Sequence, residues 1–137
     1  MTHGGFLKFI SFLKKDYQVF GPQEKSGQIF IKKVVVPQKV ILSQEPPFYS
    51  FKKFFVLENE YLFKYKNNEL KIFPERKEFK KIALLGMNIL DLKAVLLYDL
   101  VFADDPYYQK RRGDILIVGH NFTPEKEENL FEEKYDE

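Results

Sequence analysis

Residues 81–119 read KIALLGMNILDLKAVLLYDLVFADDPYYQKRRGDILIVG, and this stretch decides the fold. Residues 81–85 form an apolar strand that stops at Gly86. Asn88 is a good helix N-cap, and Asp91, three residues on, places an acid in the first turn. The helix runs to about Phe102. Its Leu, Val and Ala content leaves little polar face, so the pattern predicts burial on most sides. Asp105 caps a second, short helix with Pro106 at its first position and Gly113 just past its end. Residues 115–118 are a second apolar strand. Two buried strands joined by helix predict a βαβ unit with a parallel strand pair and a right-handed crossover.

Upstream of this unit the pattern changes. Phe6, Phe9, Ile10 and Leu13 fall at helical spacing, predicting an amphipathic helix over 5–16. Residues 17–20 read as a short strand turned by Gly21-Pro22, and 28–36 as a β-branched strand stopped by Pro37. A short strand is expected at 40–42, a loop at 43–50 and extended chain at 54–57. Residues 61–65 and 69–73 flank Asn67-Asn68 and predict a hairpin. The fold class expected is α+β: a mostly antiparallel N-terminal sheet, then the βαβ unit.

The chain has 137 residues, enough for one domain with an ordinary core, and is 45% apolar with 15 Phe and 8 Tyr. We expect one domain over 1–124 and an acidic, flexible tail over 125–137. That tail holds seven acids and two lysines, net −5; the whole chain is +2, so residues 1–124 carry +7. Lys and Glu abundance without Cys suits a thermophile. The N-terminus lacks a secretory h-region, and the most apolar run, 89–103, is interrupted by Asp91, Lys93 and Asp99. A cytoplasmic protein is expected. With no Cys, this chain alone makes no disulfide, zinc–thiolate site or cysteine-ligated cluster.

The phrases PPFYSFKKFFVLENEYLFKY, FLKKDYQVFGP and the 80–121 stretch occur together in an order that resembles the N-terminal region of the iron–sulfur beta subunit of cytoplasmic sulfhydrogenases. Related subunits occur in anaerobic sulfite reductases and dicluster ferredoxin proteins. The resemblance covers 12–124 and rests most on Lys52-Lys53-Phe54-Phe55 and on Asp105-Pro106-Tyr107-Tyr108 with Arg111-Arg112. It implies a Gly-x-x-x-Cys-Asp turn after the first strand. Here Gly86 and Asp91 remain, but Leu90 stands in the cysteine position and Phe122 in that of a second cysteine. The resemblance therefore implies a vestigial cluster site, with Leu90 and Phe122 as an apolar plug and no cofactor. It also implies a non-catalytic, protein-binding or assembly module of a redox complex, with a protein partner.

Other chemistry is sparse. Gly86, Asn88, Asp91, His120 and Asn121 would line the C-terminal strand edge, where α/β sheets place ligands. His120 with Asp91 makes only two metal ligands, too few for a structural site. His3 lies near the chain end. Lys110, Arg111 and Arg112 are candidate anion contacts, although the last turn of a helix attracts cations in any case. The sequence has no phosphate loop, nucleophile elbow or zinc-protease run, and no catalytic residue is assigned. Aromatics interleaved with lysines at 51–55 and 61–71 permit a nucleic-acid reading as the alternative, but one wet and one buried strand face explain them better. A small-ligand binder at the strand edge is the other alternative.

Overall fold

The computed structural model describes residues 3–42, 47–56, 63–66, 69–72 and 81–120. Helix α1 (His3–Leu13) leads into strands β1 (Tyr17–Lys25) and β2 (Gln28–Lys33), followed by short 3-10 turns at Pro37–Lys39 and Phe51–Phe54. Strands β3 (Phe63–Lys66) and β4 (Glu69–Ile72) form a separate antiparallel pair. Then come β5 (Lys81–Met87), α2 (Ile89–Val101), α3 (Pro106–Gly113) and β6 (Ile115–Gly119). The main sheet has the order β2-β1-β5-β6. β1 and β2 are antiparallel, whereas β1 with β5 and β5 with β6 are parallel. The fold is α+β with the expected βαβ unit, and its N-terminal hairpin joins that unit in one mixed sheet.

β5 is the spine of the core. Its alternate residues feed two apolar layers, as a strand covered on both faces requires. Leu84 and Met87 pack with Phe51, Phe55, Val95, Tyr108 and Ile115 beneath α2 and α3. Ala83 and Leu85 pack with Ile10, Leu13, Val19 and Val34 beneath α1.

Several local expectations are corrected. Gly21-Pro22 does not turn the chain; β1 runs through it. β1 pairs with β5 only over Tyr17–Phe20, so Pro22 lies where no parallel partner needs its missing N–H. The turn falls instead at Ser26 and Gly27, with φ of 54° and 76°, the positive values that a tight two-residue hairpin demands. Residues 40–42 form no strand, although the Ile41 N–H donates to the Pro22 carbonyl at 2.9 Å. Phe54 is not extended: Ser50 Oγ accepts from the Lys52 N–H and caps the 3-10 turn of Phe51–Phe54. Part of the 43–50 loop, Leu57, the Asn67-Asn68 turn and residues 121–137 fall outside the described residues.

The largest correction concerns α2. It is not buried on most sides. Asp91 and Val95 face the core, with Leu92, Tyr98 and Phe102 packed beside them. On the other side Leu90, Leu96, Leu97, Leu100 and Val101 are 43%, 62%, 57%, 77% and 64% exposed. Composition predicts how apolar a helix is, but what covers each face depends on the rest of the chain. Among the described residues nothing covers this one.

Candidate functional site

β5 and β6 end side by side at one edge of the sheet, with Met87 in register with Gly119. The His120 N–H donates to the Met87 carbonyl at 2.9 Å and extends the pairing one residue. A register shift at Leu85/Met87 brings Gly86 to a φ of 75°. A Cβ there would lie 2.9 Å from Leu42 Cδ2 and 3.2 Å from the Pro22 ring. Backbone and packing therefore both call for glycine at this bend.

The turn into α2 is closed by two side chains. Asn88 Oδ1 accepts from the Asp91 N–H at 2.7 Å, and Asn88 Nδ2 donates to Asp91 Oδ2 at 3.4 Å. This is a reciprocal cap, with an acid where the helix dipole favours one. Asp91 is 6% exposed and also reaches across the chain. Its Oδ1 accepts from Ser50 Oγ at 2.5 Å and its Oδ2 from the Phe51 N–H at 3.4 Å. Asp91 thus fastens the 3-10 turn of Phe51–Phe54, 40 residues upstream, to the start of α2. Ser50 and Phe51 were absent from the sequence-level site. An acid in a helix's first turn gives no sign of such a distant partner.

Of the expected edge residues, the structure thus joins Gly86, Asn88 and Asp91 in a structural bend and places His120 at its rim. Leu90 is 43% exposed rather than plugged into the core. Phe122 and Asn121 lie outside the described residues, so the proposed meeting of Leu90 with Phe122 has one visible half. Among the described residues no three His, Cys, Asp or Glu side chains converge as a metal-ligand set. No buried side-chain polar atom there lacks a hydrogen-bond partner.

The α3 cap forms as its sequence dictates: Asp105 Oδ1 accepts from the Tyr107 and Tyr108 N–H groups at 2.8 and 3.3 Å. Helix α3 includes Gly113 and is capped at Asp114, one residue later than expected. Two of its three basic residues face inward partners. Arg111 Nη1 donates to the Phe55 carbonyl at 2.7 Å. Arg112 Nε donates to Asp99 Oδ1 and Oδ2 at 3.0 and 3.2 Å. Tyr108 OH donates to the same Asp99 Oδ1 at 2.7 Å. Burial, and then the hydrogen bond to Asp99, push the Tyr108 hydroxyl well above the usual phenol range. It stays a donor. Lys110 remains exposed.

The aromatic–lysine run divides in two. Phe51 and Phe55 are fully buried, whereas Lys52 and Lys53 are exposed. Just before this run, Phe48 and Tyr49 are exposed and pack edge to face with centroids 4.7 Å apart. Phe30 lies 5.6 Å from Phe48 and 6.4 Å from Tyr49. Lys32 sits 5.4 Å over Phe30, and Lys53 5.8 Å over Tyr49. The Phe48 N–H donates to the Ile29 carbonyl at 2.7 Å and pins this cluster to the edge strand β2. For the 61–71 run the structure describes two paired strands, β3 and β4.

Compared with known proteins, the chain is similar to the sulfhydrogenase 2 beta subunit of Pyrococcus furiosus, at 27% identity over 124 residues. The match takes in 88% of this chain and 36% of that subunit, so the chain spans little more than a third of the relative's length. This supports a relation to the hydrogenase subunits that the residue pattern resembles. No family model matches the chain, and no solved structure matches it. Among the described residues no helix is long and apolar enough to cross a membrane.

Proposed function

We propose that this chain is a cluster-free relative of a hydrogenase beta subunit and serves as a non-catalytic binding or assembly module of a redox complex. The observation that carries this reading is similarity to such a subunit along 88% of a chain without one cysteine. Iron–sulfur clusters need thiolate ligands, and Leu90 offers a hydrocarbon at a family cysteine position. The bend itself does not need the thiolate. Gly86, Asn88 and Asp91 hold it through backbone conformation, capping and the Ser50 contact. A scaffold of this kind can persist after its ligands are gone. The matched relative is by name a subunit, which favours a protein as the partner here. Anaerobic purification of the tagged chain from its native cells, with identification of retained proteins, tests the reading. Stoichiometric hydrogenase-like or iron–sulfur subunits support it, whereas the chain purified alone at native abundance contradicts it.

A second reading has its own observation. Phe48 and Tyr49 are exposed, with Lys32 and Lys53 beside their ring cluster, and bases stack on such surfaces while lysines meet phosphates. Fluorescence anisotropy with labelled single-stranded oligonucleotides separates the two. Tight binding at physiological salt that Phe48→Ser with Tyr49→Ser abolishes would favour nucleic acid. Weak association lost on adding salt would reflect charge alone.

A further inference from the structure

We infer that the outer face of α2 pairs with the same face of a second copy of this chain, the two helices running antiparallel about a two-fold axis. Ile89, Leu90, Leu96, Leu97, Leu100 and Val101 are all at least 37% exposed and lie on one side of the helix. Positions 89, 93, 96 and 100 step by four, three and four residues, the spacing that lets one helix seat its side chains between those of another. Leu90, Leu97 and Val101 widen this seam on one flank. Lys93, the charged position in the seam, engages a group of its own chain, and its methylene stem adds apolar surface. Solvent-facing helix sides are ordinarily polar, so a stripe of this kind marks an interface.

Area and self-complementarity point to a second copy. The six side chains leave roughly 500–600 Å² of apolar surface in water, the top of the range for the largest patch on a monomer. A specific interface takes about 600–1,000 Å² from each partner, and the stripe with its rim reaches the low end of that range. α2 has 13 residues, is about 20 Å long and carries exposed apolar groups at both ends. Turning it end for end sets Ile89 and Leu90 of one chain beside Leu100 and Val101 of the other, with Leu96 and Leu97 of both chains near the axis. Apolar surface then meets apolar surface along the whole seam, and the two-fold closes the assembly at two copies. A contact with a different patch of the same protein fits less well. The Phe48–Tyr49 cluster carries Lys32 and Lys53 beside its rings, so a leucine stripe there would strip water from two ammonium groups, and such a head-to-tail contact does not close as a pair.

Sedimentation equilibrium of the full chain tests this. A species of twice 16.4 kDa is expected at about 100 µM, dissociating on dilution. Leu96→Asp with Leu100→Asp is expected to weaken the dimer at least about 100-fold, since pairing would bury carboxylates. Both sites are exposed in the single chain, so its circular dichroism is expected to stay unchanged. Val35→Asp, exposed beside α1, is expected to leave the dimer as it is. The chain has no cysteine, so single introduced thiols report the alignment. Leu96→Cys lies near the axis, within about 7 Å of its own copy, and is expected to form an intermolecular disulfide on mild oxidation. Ile89→Cys lies about 20 Å from its own copy and is expected to stay reduced. A chain that remains monomeric at about 100 µM would overturn the inference. So would a dimer that the double Asp variant leaves intact, one that Val35→Asp disrupts, or Ile89→Cys crosslinking as fast as Leu96→Cys.

Discussion

Replacing Asp91 by Ala removes a buried carboxylate shared by three donors, Ser50 Oγ, the Phe51 N–H and Asn88 Nδ2. The short Ser50 bond to a charged acceptor contributes about 1.5–3 kcal/mol. Loss of negative charge from the first turn of α2 adds about 0.3–1 kcal/mol. The two 3.4 Å contacts are weak as bonds, yet the buried Phe51 N–H is left without its acceptor, which costs about 1 kcal/mol more. The expected total is about 3–5 kcal/mol, a large share of the roughly 5–15 kcal/mol typical of a domain. Ser50→Ala loses the same short bond and its cap on the Lys52 N–H, about 2.5–4 kcal/mol together. Because the two residues share one bond, the double variant is expected to fall short of additivity by at least about 1 kcal/mol. Urea unfolding followed by circular dichroism measures all three, with an unchanged m-value as the check on two-state behaviour. An Asp91→Ala cost below about 1 kcal/mol, or strict additivity with Ser50→Ala, would refute the assignment of Asp91 as a latch between the 3-10 turn and α2.

Further outcomes follow from the same geometry. Gly86→Ala forces a side chain into a φ of 75° and a 2.9 Å contact with Leu42, so a loss of at least about 2 kcal/mol is expected in the same urea assay. Leu84→Ala empties a fully buried site between β5 and α2 and is expected to cost about 2–5 kcal/mol. Tyr108 has a raised folded-state pKa, so the unfolded chain loses this phenolic proton first; its share of stability is intact below about pH 10 and declines as pH rises beyond it. Tyr108→Phe is expected to remove that part of the alkaline decline, read as the slope of stability between pH 9 and 11, and an unchanged slope would contradict the Tyr108–Asp99 account. Anaerobic reconstitution with iron and sulfide is expected to leave the protein without cluster absorption, and stoichiometric bound iron and sulfide would contradict the reading of Leu90.

The parts of the fold legible in the sequence are those fixed by neighbours along the chain. Asn88 with Asp91, and Asp105 with Pro106, announce their helices because a cap satisfies donors two or three residues away. The apolar runs of β5 and β6 announce two parallel strands, although β6 is the edge strand and only its Ile115 is buried. What long-range contact decides was hidden. Pro22 reads as a breaker until β5 is seen to pair only as far as Phe20. Arg111 and Arg112 read as free cations until Phe55 and Asp99 are found beside them. Asp91 reads as a helix-start acid or an edge ligand, and its partnership with Ser50 exists only once the chain has folded. The openness of α2 follows the same rule, since seven residues of one helix cannot reveal what stands opposite them.

The most direct test of the central claim is a native mass spectrum of the chain co-expressed with hydrogenase-like and iron–sulfur subunits from its own organism. The account predicts a complex heavier than its partner by 16.4 kDa per copy, with no iron–sulfur mass attributable to this chain. A free 16.4 kDa species alongside uncomplexed partner subunits, with all of them folded and present in excess of micromolar concentration, would contradict it.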